Sequence, residues 1–535
     1  MNRRNFCQLT TAASAAFIGC KALPKQSAQS AARKYPFEWE EATIPELQKA
    51  MNSGKVTSVS LVRAYLGRIR EIDQSGPRVN SVIEVNPDAV EIARALDDER
   101  KKKGARGPLH GIPVLLKDNI NTADRMMTTA GSLALLGSIA PRDAFLAERL
   151  RAAGAVILGK TNLSEWANFR SNRSTSGWSG RGGLTKNPYV LDRNTSGSSS
   201  GSGAAVAANL CAGAVGTETD GSIISPSTYC GIVGLKPTVG LISRSGVIPI
   251  SSSQDTAGPM TRTVTDAAIL LGGMAGVDSS DPATESSQGR SAPDYTVFLD
   301  KEGLRGARLG VARHFFRSRN SKVTKILEAA LETFKSGGAE LVDPVELKSF
   351  DQIGDAEYQV MLYEFKDGLN KYFASLGPNA PVKSLKELIE FNDAHKAEEM
   401  PYFGQETLLE AEKKGPLTDR EYLEAVEKCR HLSRAEGIDA VMNEHRLDAI
   451  IAPSGGPAHS TDLVYGNRDT GGSSSPAAIA GYPSITVPAG MLHGLPFGLS
   501  FFGRAYSEPV LLKLAYAFEQ ASHGRQPPEF LQRVA

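Results

Sequence analysis

The sequence has little cysteine, with only five in 535 residues, at positions 7, 20, 211, 230 and 429. They are widely spaced, none belongs to a Cys-x-x-Cys pair, and no cysteine and histidine stand at the spacing of a zinc site. A disulfide framework and a structural zinc site are therefore excluded as organising features. We expect the three cysteines beyond the first 32 residues to be buried in the core, and we expect neither a metal nor a cofactor.

The sequence also lacks an excess of charge of either sign and a long apolar run. Its 60 basic and 59 acidic residues give a formal charge of +1, which provides no net field to attract nucleic acid or an anionic membrane. The longest apolar run near the start, Leu9 to Gly19, is much shorter than the roughly 20 residues that cross a bilayer. We therefore expect no nucleic-acid partner and no transmembrane span.

The first 32 residues resemble a twin-arginine export signal. Arg3 and Arg4 precede the short apolar run, and a segment rich in alanine, serine and glutamine follows it. Phe17 to Cys20 also resembles a bacterial lipoprotein processing site, although Phe17 stands where a small aliphatic residue or leucine is usual. The alternative is an ordinary tail with a chance arginine pair. The pattern predicts an exported protein, periplasmic or anchored to the cell envelope, with Cys20 as a candidate lipid anchor.

Helices alternate with short apolar strands in the first half of the chain. Asn86, followed by proline, is typical of a helix start. The apolar run from Gly111 to Leu116 is bounded by turn residues, which predicts a buried strand that delivers Lys117 at its carboxyl end. The same order recurs as a helical pattern over 144–153 and a strand over 155–158. This alternation predicts an α/β fold with a largely buried sheet and functional loops at the strand ends.

The character of the sequence changes between residues 304 and 437, where charged helical patterns such as 321–337 and 418–435 replace the apolar strands. Strand patterns resume at 449–452 and 484–487, so the core is discontinuous in sequence. The predicted divisions are an export signal (1–32), a first part of the core (33–303), a mainly helical insertion that shapes the substrate region (304–437) and a second part of the core (438–535).

Two loops dense in serine and glycine, residues 194–204 and 216–223, flank an alanine-rich apolar run. Glycine lets backbone N–H groups approach a bound group closely, and serine supplies nucleophiles and proton carriers, so such loops suit an oxyanion site. A flexible linker is the alternative interpretation. Linkers lack the apolar flanks that are present here, which favours hydrolytic chemistry.

Lys117, Ser222 and one serine of the first loop form a candidate catalytic set. Burial at the end of an apolar strand would lower the pKa of Lys117 toward the range of a general base. The alternative is a lysine at the solvent-exposed end of the strand, paired with Asp118. Ser222 follows Thr219-Asp220-Gly221, whose backbone N–H groups suit an oxyanion site, and a nucleophilic serine needs both a base and such a site.

A series of ordered segments resembles the amidase signature family, and within it the bacterial peptide amidases. The resemblance covers roughly residues 40–525, and its many matches in order and spacing make it specific. The matching segments are 111–119, 128–132, 159–165, Asn187-Pro188, 197–205, 216–226, 231–238, 255–259, 481–488 and 494–498. The resemblance implies an α/β fold with a large mixed, mostly buried β-sheet flanked by helices and a helical insertion.

The resemblance also implies the roles of the site residues. Ser222 falls on the nucleophile, Ser198 on a serine that follows a cis peptide bond, and Lys117 on the base. The implied oxyanion donors are the backbone N–H groups of Thr219, Asp220, Gly221 and Ser222. Three positions depart from the family pattern: Glu218 replaces an aspartate, Asp220 replaces a glycine beside the nucleophile, and Ser196 replaces the first glycine of the serine-rich motif.

The resemblance implies an amide-bond hydrolase whose substrates are a small-molecule or peptide amide and water, and which most resembles enzymes that remove the terminal amide of peptides. Aryl and fatty acyl amides remain alternatives. Another class is the amide-transferring subunit of a tRNA amidotransferase, and a third is a non-catalytic binding protein that kept the fold. Aromatic residues that are candidates to line a substrate pocket, or else to belong to the core, are Phe169, Trp178, Tyr358, Phe365 and Tyr465.

One short pattern points to a different hydrolase fold. Gly197 to Gly201 matches the Gly-x-Ser-x-Gly elbow of α/β-hydrolases, with Ser199 as the nucleophile. That elbow needs an apolar strand directly before it, whereas Leu191 to Thr195 is mostly polar. The elbow is therefore the less favoured interpretation of the first serine loop.

Overall fold

The computed structural model describes residues 35–316, 321–378, 380–468 and 470–534. The predicted export segment 1–32 and the candidate lipid anchor Cys20 lie outside these residues. In the described part of the chain, no helix has both the length and the apolar character that a membrane crossing requires.

The strands are mostly short and apolar. They are β1 (Val82–Val85), β2 (Pro113–Lys117), β3 (Val156–Thr161), β4 (Trp178–Ser179), β5 (Gly183–Leu184), β6 (Gly213–Glu218), β7 (Val233–Lys236), β8 (Thr256–Thr261), β9 (Arg308–Val311), β10 (Glu340–Val342), β11 (Ala449–Pro453), β12 (Ser484–Leu492) and β13 (Leu495–Phe502).

The helices include several of only one or two turns. They are α1 (Ile44–Asn52), α2 (Ser58–Arg68), α3 (Ala89–Lys103), α4 (Phe145–Ala152), α5 (Ser200–Ala207), α6 (Ile224–Tyr229), α7 (Val264–Met274), α8 (Ser321–Ser336), α9 (Ala356–Ser375), α10 (Leu385–Ala394), α11 (Lys396–Glu399), α12 (Glu406–Glu412), α13 (Arg420–Arg430), α14 (Asp439–His445), α15 (Ser475–Ala480) and α16 (Glu508–Ser522).

Eleven of the described strands form one mixed sheet in the order β1-β3-β2-β6-β8-β7-β12-β13-β11-β9-β10, and β4 and β5 form a separate hairpin. β2 runs parallel to both β3 and β6, and β11 and β10 run parallel to β9. The neighbours from β6 to β11 are antiparallel. The predicted α/β fold with a large mixed sheet is confirmed.

The centre of the sheet is buried because helices cover it. β2, β3 and β6 are buried along their whole length, and α5, α7, α8 and α16 pack on the strands. Strands buried on both faces are expected to be continuous apolar runs rather than alternating ones. Cys211, Cys230 and Cys429 are free thiols in the interior, which confirms the prediction that they are core residues.

One local prediction, the start of the third helix, needs correction. The third helix begins at Ala89, with Asp88 at the cap position, and not at Pro87 with Asn86 as the cap. The Asn86 side chain instead accepts a bond from the Asp88 N–H at 2.9 Å, in a turn that precedes the helix. The segment 304–437 carries the expected helices, but it also contributes β9 and β10 to one edge of the main sheet. A three-residue edge strand such as β10 leaves almost no apolar pattern in the sequence.

Candidate active site

The strand order places the ends of β2 and β6 beside each other. The two strands are parallel neighbours, with Leu116 paired to Val215, so their carboxyl ends leave the sheet at the same edge. β2 ends at Lys117 and β6 at Glu218. The loop after β6 carries Ser222, and the sheet therefore brings the candidate base and the second serine loop together, as ligand sites in α/β sheets commonly form.

Lys117 is fully buried and lies against the first serine loop. Its Nζ is 2.7 Å from Ser198 Oγ, 2.8 Å from Thr217 Oγ1 and 3.3 Å from the Thr217 carbonyl oxygen. Burial lowers the pKa of Lys117 to about 7, although the negative charges of Asp255 and Glu218 act to raise it. The alternative of an exposed lysine paired with Asp118 is wrong, because the side chain has no surface in contact with solvent.

The first serine loop is packed too tightly for any residue but glycine at position 197. A Cβ built on Gly197 would collide with Ser164 Oγ and would also meet Ser200 Oγ at 3.0 Å. The peptide bond between Gly197 and Ser198 is cis, as the resemblance implies. Ser198 is fully buried and lies just before the start of α5, so the loop holds its hydroxyl toward Lys117.

The second serine loop brings Ser222 next to Ser198. The Ser199 N–H donates to the Ser222 carbonyl oxygen at 3.2 Å, so the backbone directly after Ser198 is bonded to Ser222. Ser222 is 8% exposed, whereas Ser198 and Lys117 are completely buried. Of the three, Ser222 is therefore the side chain that a substrate can reach.

Glu218 and Gly221 shape this second loop. Glu218 Oε2 accepts bonds from the N–H groups of Ile223 and Ile224, at 2.7 and 2.9 Å. The loop turns at Gly221, which has a φ of +75°, a conformation that costs glycine little. Although Glu218 departs from the family pattern, its carboxylate closes the loop around the candidate oxyanion donors.

Four residues of the site, Thr217, Asn119, Asp255 and Gln254, carry no sequence signal that singles them out. Thr217 contacts Lys117, and Asn119 Nδ2 donates to Thr217 Oγ1 at 3.0 Å. Thr219 Oγ1 donates to Asp255 at 2.6 Å, and burial raises the pKa of Asp255 to about 6. Gln254 Nε2 donates to the Thr219 carbonyl oxygen at 3.3 Å. Asn119, Thr217 and Asp255 do lie in segments that carry the family resemblance, and this is the signal that could have found them; Gln254 lies just outside those segments.

Ser199 does not have the geometry of an α/β-hydrolase nucleophile. It is fully buried, and its hydroxyl donates to the Thr217 carbonyl oxygen at 3.0 Å while accepting from the Thr217 N–H at 3.2 Å. The chain before it, from Pro188 to Ser198, forms no strand. The hydroxyl is therefore a link between the first serine loop and the end of β6.

Most of the candidate pocket aromatics belong to the core. Phe169 and Phe365 lie in one buried apolar cluster, with partly buried Tyr358 packed on it, and the two phenylalanine rings are 5.1 Å apart. Trp178 is also buried. Of the five candidates, Tyr465 is the most exposed, at 84%. Within the described residues, no group of three or more histidine, cysteine, aspartate or glutamate side chains could hold a metal ion.

The chain matches known amidases over most of its length. The family model Amidase matches residues 60–512. A probable amidase of Arabidopsis thaliana is 44% identical over 505 residues, which is 92% of this chain and 93% of that protein. The crystal structure of native peptide amidase from Stenotrophomonas maltophilia superposes with a TM-score of 0.88 at 51% identity, covering 92% of this chain and all of that one.

A more distant match is a glutamyl-tRNA(Gln) amidotransferase subunit of Caldanaerobacter subterraneus, which is 34% identical over 90% of this chain and 96% of that protein. The matches thus include hydrolases and an amide-transferring subunit. The chain belongs to the amidase signature family and is an amide hydrolase.

Proposed function

We propose that the protein hydrolyses the carboxyl-terminal amide of peptides and releases ammonia, with Ser222 as nucleophile, Ser198 as proton relay and Lys117 as base. The substrate class is supported by the 51% identity to peptide amidase over nearly the whole chain. The mechanism is carried by one observation, the set of contacts that Lys117 Nζ makes.

A neutral lysine amine has two hydrogens and one lone pair. The two oxygens of Thr217 around Nζ accept the hydrogens, at 3.3 and 2.8 Å. The lone pair is then left for the Ser198 hydroxyl, 2.7 Å away. Because burial lowers the pKa of Lys117 to about 7, a large fraction of the protein carries this neutral amine at neutral pH. Thr217 therefore orients the base, and Ser198 is the group from which it takes a proton.

Acylation follows from these positions. Lys117 Nζ takes the Ser198 proton as Ser198 Oγ takes the proton of Ser222, and Ser222 Oγ attacks the amide carbonyl carbon. The negative charge that develops on the carbonyl oxygen is met by the backbone N–H groups of the loop from Thr219 to Ser222. The carbon–nitrogen bond then breaks, and the relay returns a proton to the nitrogen, which leaves as ammonia.

Deacylation uses the same groups in the same order. Water attacks the ester of Ser222 and gives its proton to the relay through Ser198 toward Lys117. The carbon–oxygen bond to Ser222 breaks, Ser222 recovers a proton and the peptide leaves as a carboxylic acid. The net change is one water consumed and one ammonia released, with the three side chains returned to their starting states.

The substrate class is tested by measuring ammonia released from three primary amides: a short peptide amide, an aromatic carboxamide and a long-chain fatty amide. We expect the peptide amide to have the highest kcat/KM, because the chain is 51% identical to a peptide amidase over 92% of its length. The same peptide with a free carboxyl terminus is the control, and mass spectrometry should find it uncut. Faster turnover of either of the other amides would contradict the substrate class while leaving the mechanism in place.

Hydrolysis is favoured over amide transfer within a tRNA amidotransferase. The identity to the amidotransferase subunit is 34%, against 51% to peptide amidase. The balanced charge of the chain, +1, also gives no general attraction for tRNA. Water as the second substrate needs no partner protein.

A loop near the first serine loop is suited to contact the peptide part of the substrate. Asn467 binds Ser176 twice, accepting from its N–H at 2.9 Å and donating to its hydroxyl at 2.8 Å. Ser176 in turn packs beside Gly197. The tip of this loop exposes Val464 and Tyr465, at 80% and 84%, so an aromatic ring extends into solvent close to the serine loops.

Tyr465→Ala should raise KM for a peptide amide of several residues by about fivefold, the value of one aromatic contact of about 1 kcal/mol. It should leave kcat and the kinetics of a single amino-acid amide unchanged, because that substrate is too short to reach the ring. Val297→Ala, which removes an apolar side chain that is 69% exposed elsewhere on the surface, is the matched control. Equal effects on the short and the long substrate would mean that Tyr465 does not bind the peptide.

A further inference from the structure

Asp220 is the residue of the nucleophile loop that departs most from the family pattern, and its carboxylate has an organised set of partners. Its Oδ1 accepts a bond from Ser474 Oγ at 2.6 Å and its Oδ2 one from Ser475 Oγ at 2.5 Å. Ser474 and Ser475 are consecutive residues at the start of α15. One carboxylate thus joins the nucleophile loop to a segment more than 250 residues later in the chain.

The same helix start packs on the next residue of the loop. A Cβ built on Gly221 would lie 3.0 Å from Ser474 Oγ and 3.0 Å from Ser225 Oγ. Ser474 therefore contacts the Asp220 carboxylate and also lies against Gly221. Because Gly221 is flanked by candidate oxyanion donors, the position of Ser474 bears directly on the orientation of their N–H groups.

The other side of the loop is held by Gln254 and Glu357. Gln254 Nε2 donates to the Thr219 carbonyl oxygen and also to Glu357 Oε1, the latter at 2.9 Å. Burial and, to a smaller extent, the negative charge of Asp220 raise the pKa of Glu357 to about 8. The peptide before Asp220 is thus fixed from α9, whereas Ser474 supports the loop from the side of α15.

We propose that Asp220 is a positioning residue for the oxyanion site, which acts by binding Ser474 and Ser475 and so fixing the peptides on either side of Gly221. The family pattern has a glycine at this position, whereas here the Asp220 side chain binds the start of α15. Donors to a developing oxyanion stabilise it most when they are already oriented before reaction. The inference rests on the proposed function, since it assumes that the loop from Thr219 to Ser222 holds the oxyanion.

The test measures the rate at which a fluorophosphonate labels Ser222, because that reaction uses the nucleophile and the oxyanion site without needing any particular amide. We expect Asp220→Ala to label about 10-fold more slowly, in line with a weakened oxyanion donor. With amide substrates its kcat should fall by a similar factor while KM is unchanged. Asp278→Ala is the matched control, since Asp278 also accepts bonds from two serine hydroxyls, those of Ser243 and Ser245, away from the nucleophile loop, and its labelling rate should equal that of the wild type.

A second variant separates the effect of the two hydrogen bonds to Asp220 from the effect of its charge. The double variant Ser474→Ala/Ser475→Ala removes the same two hydrogen bonds by removing their donors, so it should slow labelling by a similar factor. When it is combined with Asp220→Ala, the labelling rate should fall no further than in Asp220→Ala alone. Labelling at the wild-type rate in a folded Asp220→Ala protein, a raised KM with unchanged kcat, or fully additive effects of the two sets would each overturn the inference. Failure of the wild type to label at Ser222 would instead overturn the proposed function.

Discussion

Lys117→Ala should lower kcat for a peptide amide by about 10³-fold, within the range of about 10² to 10⁴ that a general base contributes. The lysine amine is the titratable group that contacts Ser198 Oγ, so its loss leaves the relay without a proton acceptor. Stopped assays of ammonia release with saturating substrate measure the effect. KM should change little, because the buried amine lies behind the serines and does not reach the substrate.

Two further variants distinguish a lost base from a lost side chain. Lys117→Met fills most of the same space without a titratable group and should be as inactive as Lys117→Ala. Lys117→Arg retains a positive charge but stays protonated at any working pH, so it should be inactive as well. Activity in the arginine variant near that of the wild type would contradict a role as base.

The pH dependence of kcat/KM should have an acid limb set by Lys117. The neutral amine is the active form, and its fraction rises as the pH rises through the lysine pKa of about 7. The rate should therefore be low in acid, increase with pH and level off above that pKa. A rate that falls as the pH rises through 7 would mean that the protonated lysine is the working form.

Ser222→Ala should abolish turnover, with a loss of at least about 10⁴-fold, because the residual rate then comes only from binding and the oxyanion donors. The substitution removes one oxygen atom from a side chain that is 8% exposed, so the free energy of unfolding should change little. Activity and thermal unfolding are measured on the same preparation. Binding of a peptide amide, followed by calorimetry, should persist in the inactive protein.

Ser199→Ala is the informative comparison for Ser222→Ala. Ser199 is the nucleophile that the α/β-hydrolase elbow would require, and its hydroxyl instead links to Thr217. The variant should keep measurable turnover, with a reduction that reflects a less well-ordered loop. Loss of all activity in Ser199→Ala together with retained activity in Ser222→Ala would reverse the assignment of the nucleophile.

The parts of the fold that have strong local patterns could be predicted from the sequence. The apolar runs at 111–116 and 155–158 correspond to β2 and β3, and Lys117 ends the first of them. The order of the strands in the sheet could not be predicted from the sequence. A pairing such as that of Lys236 in β7 with Ser484 in β12 joins segments that are far apart in the chain, and it produces no local sequence pattern. Strands β9 and β10 are short and lie within a region of charged helices, which hides their pattern.

The candidate site, like the fold, could be predicted only in part from the sequence. Lys117 and the two serine loops stand out, because a lysine directly after an apolar run and two loops dense in serine and glycine can be read from the sequence itself. Thr217 lies within the second of these loops, but nothing in the sequence marks it as the residue that accepts two bonds from Lys117, because that contact depends on the register of β6 beside β2. Asp220 stands out in the sequence only as a departure from the family pattern, and its bonds to Ser474 and Ser475 need the folded chain.

The central claim is that Ser222 is activated by neutral Lys117 through Ser198, and its most direct test is the pH dependence of fluorophosphonate labelling followed by peptide mapping. We predict that the adduct lies on Ser222 alone and that its rate of formation rises with pH through the lysine pKa of about 7. In Lys117→Met, labelling should be abolished, and its pH dependence with it. An adduct on Ser198 or Ser199, or a labelling rate that is unchanged in Lys117→Met, would contradict the account.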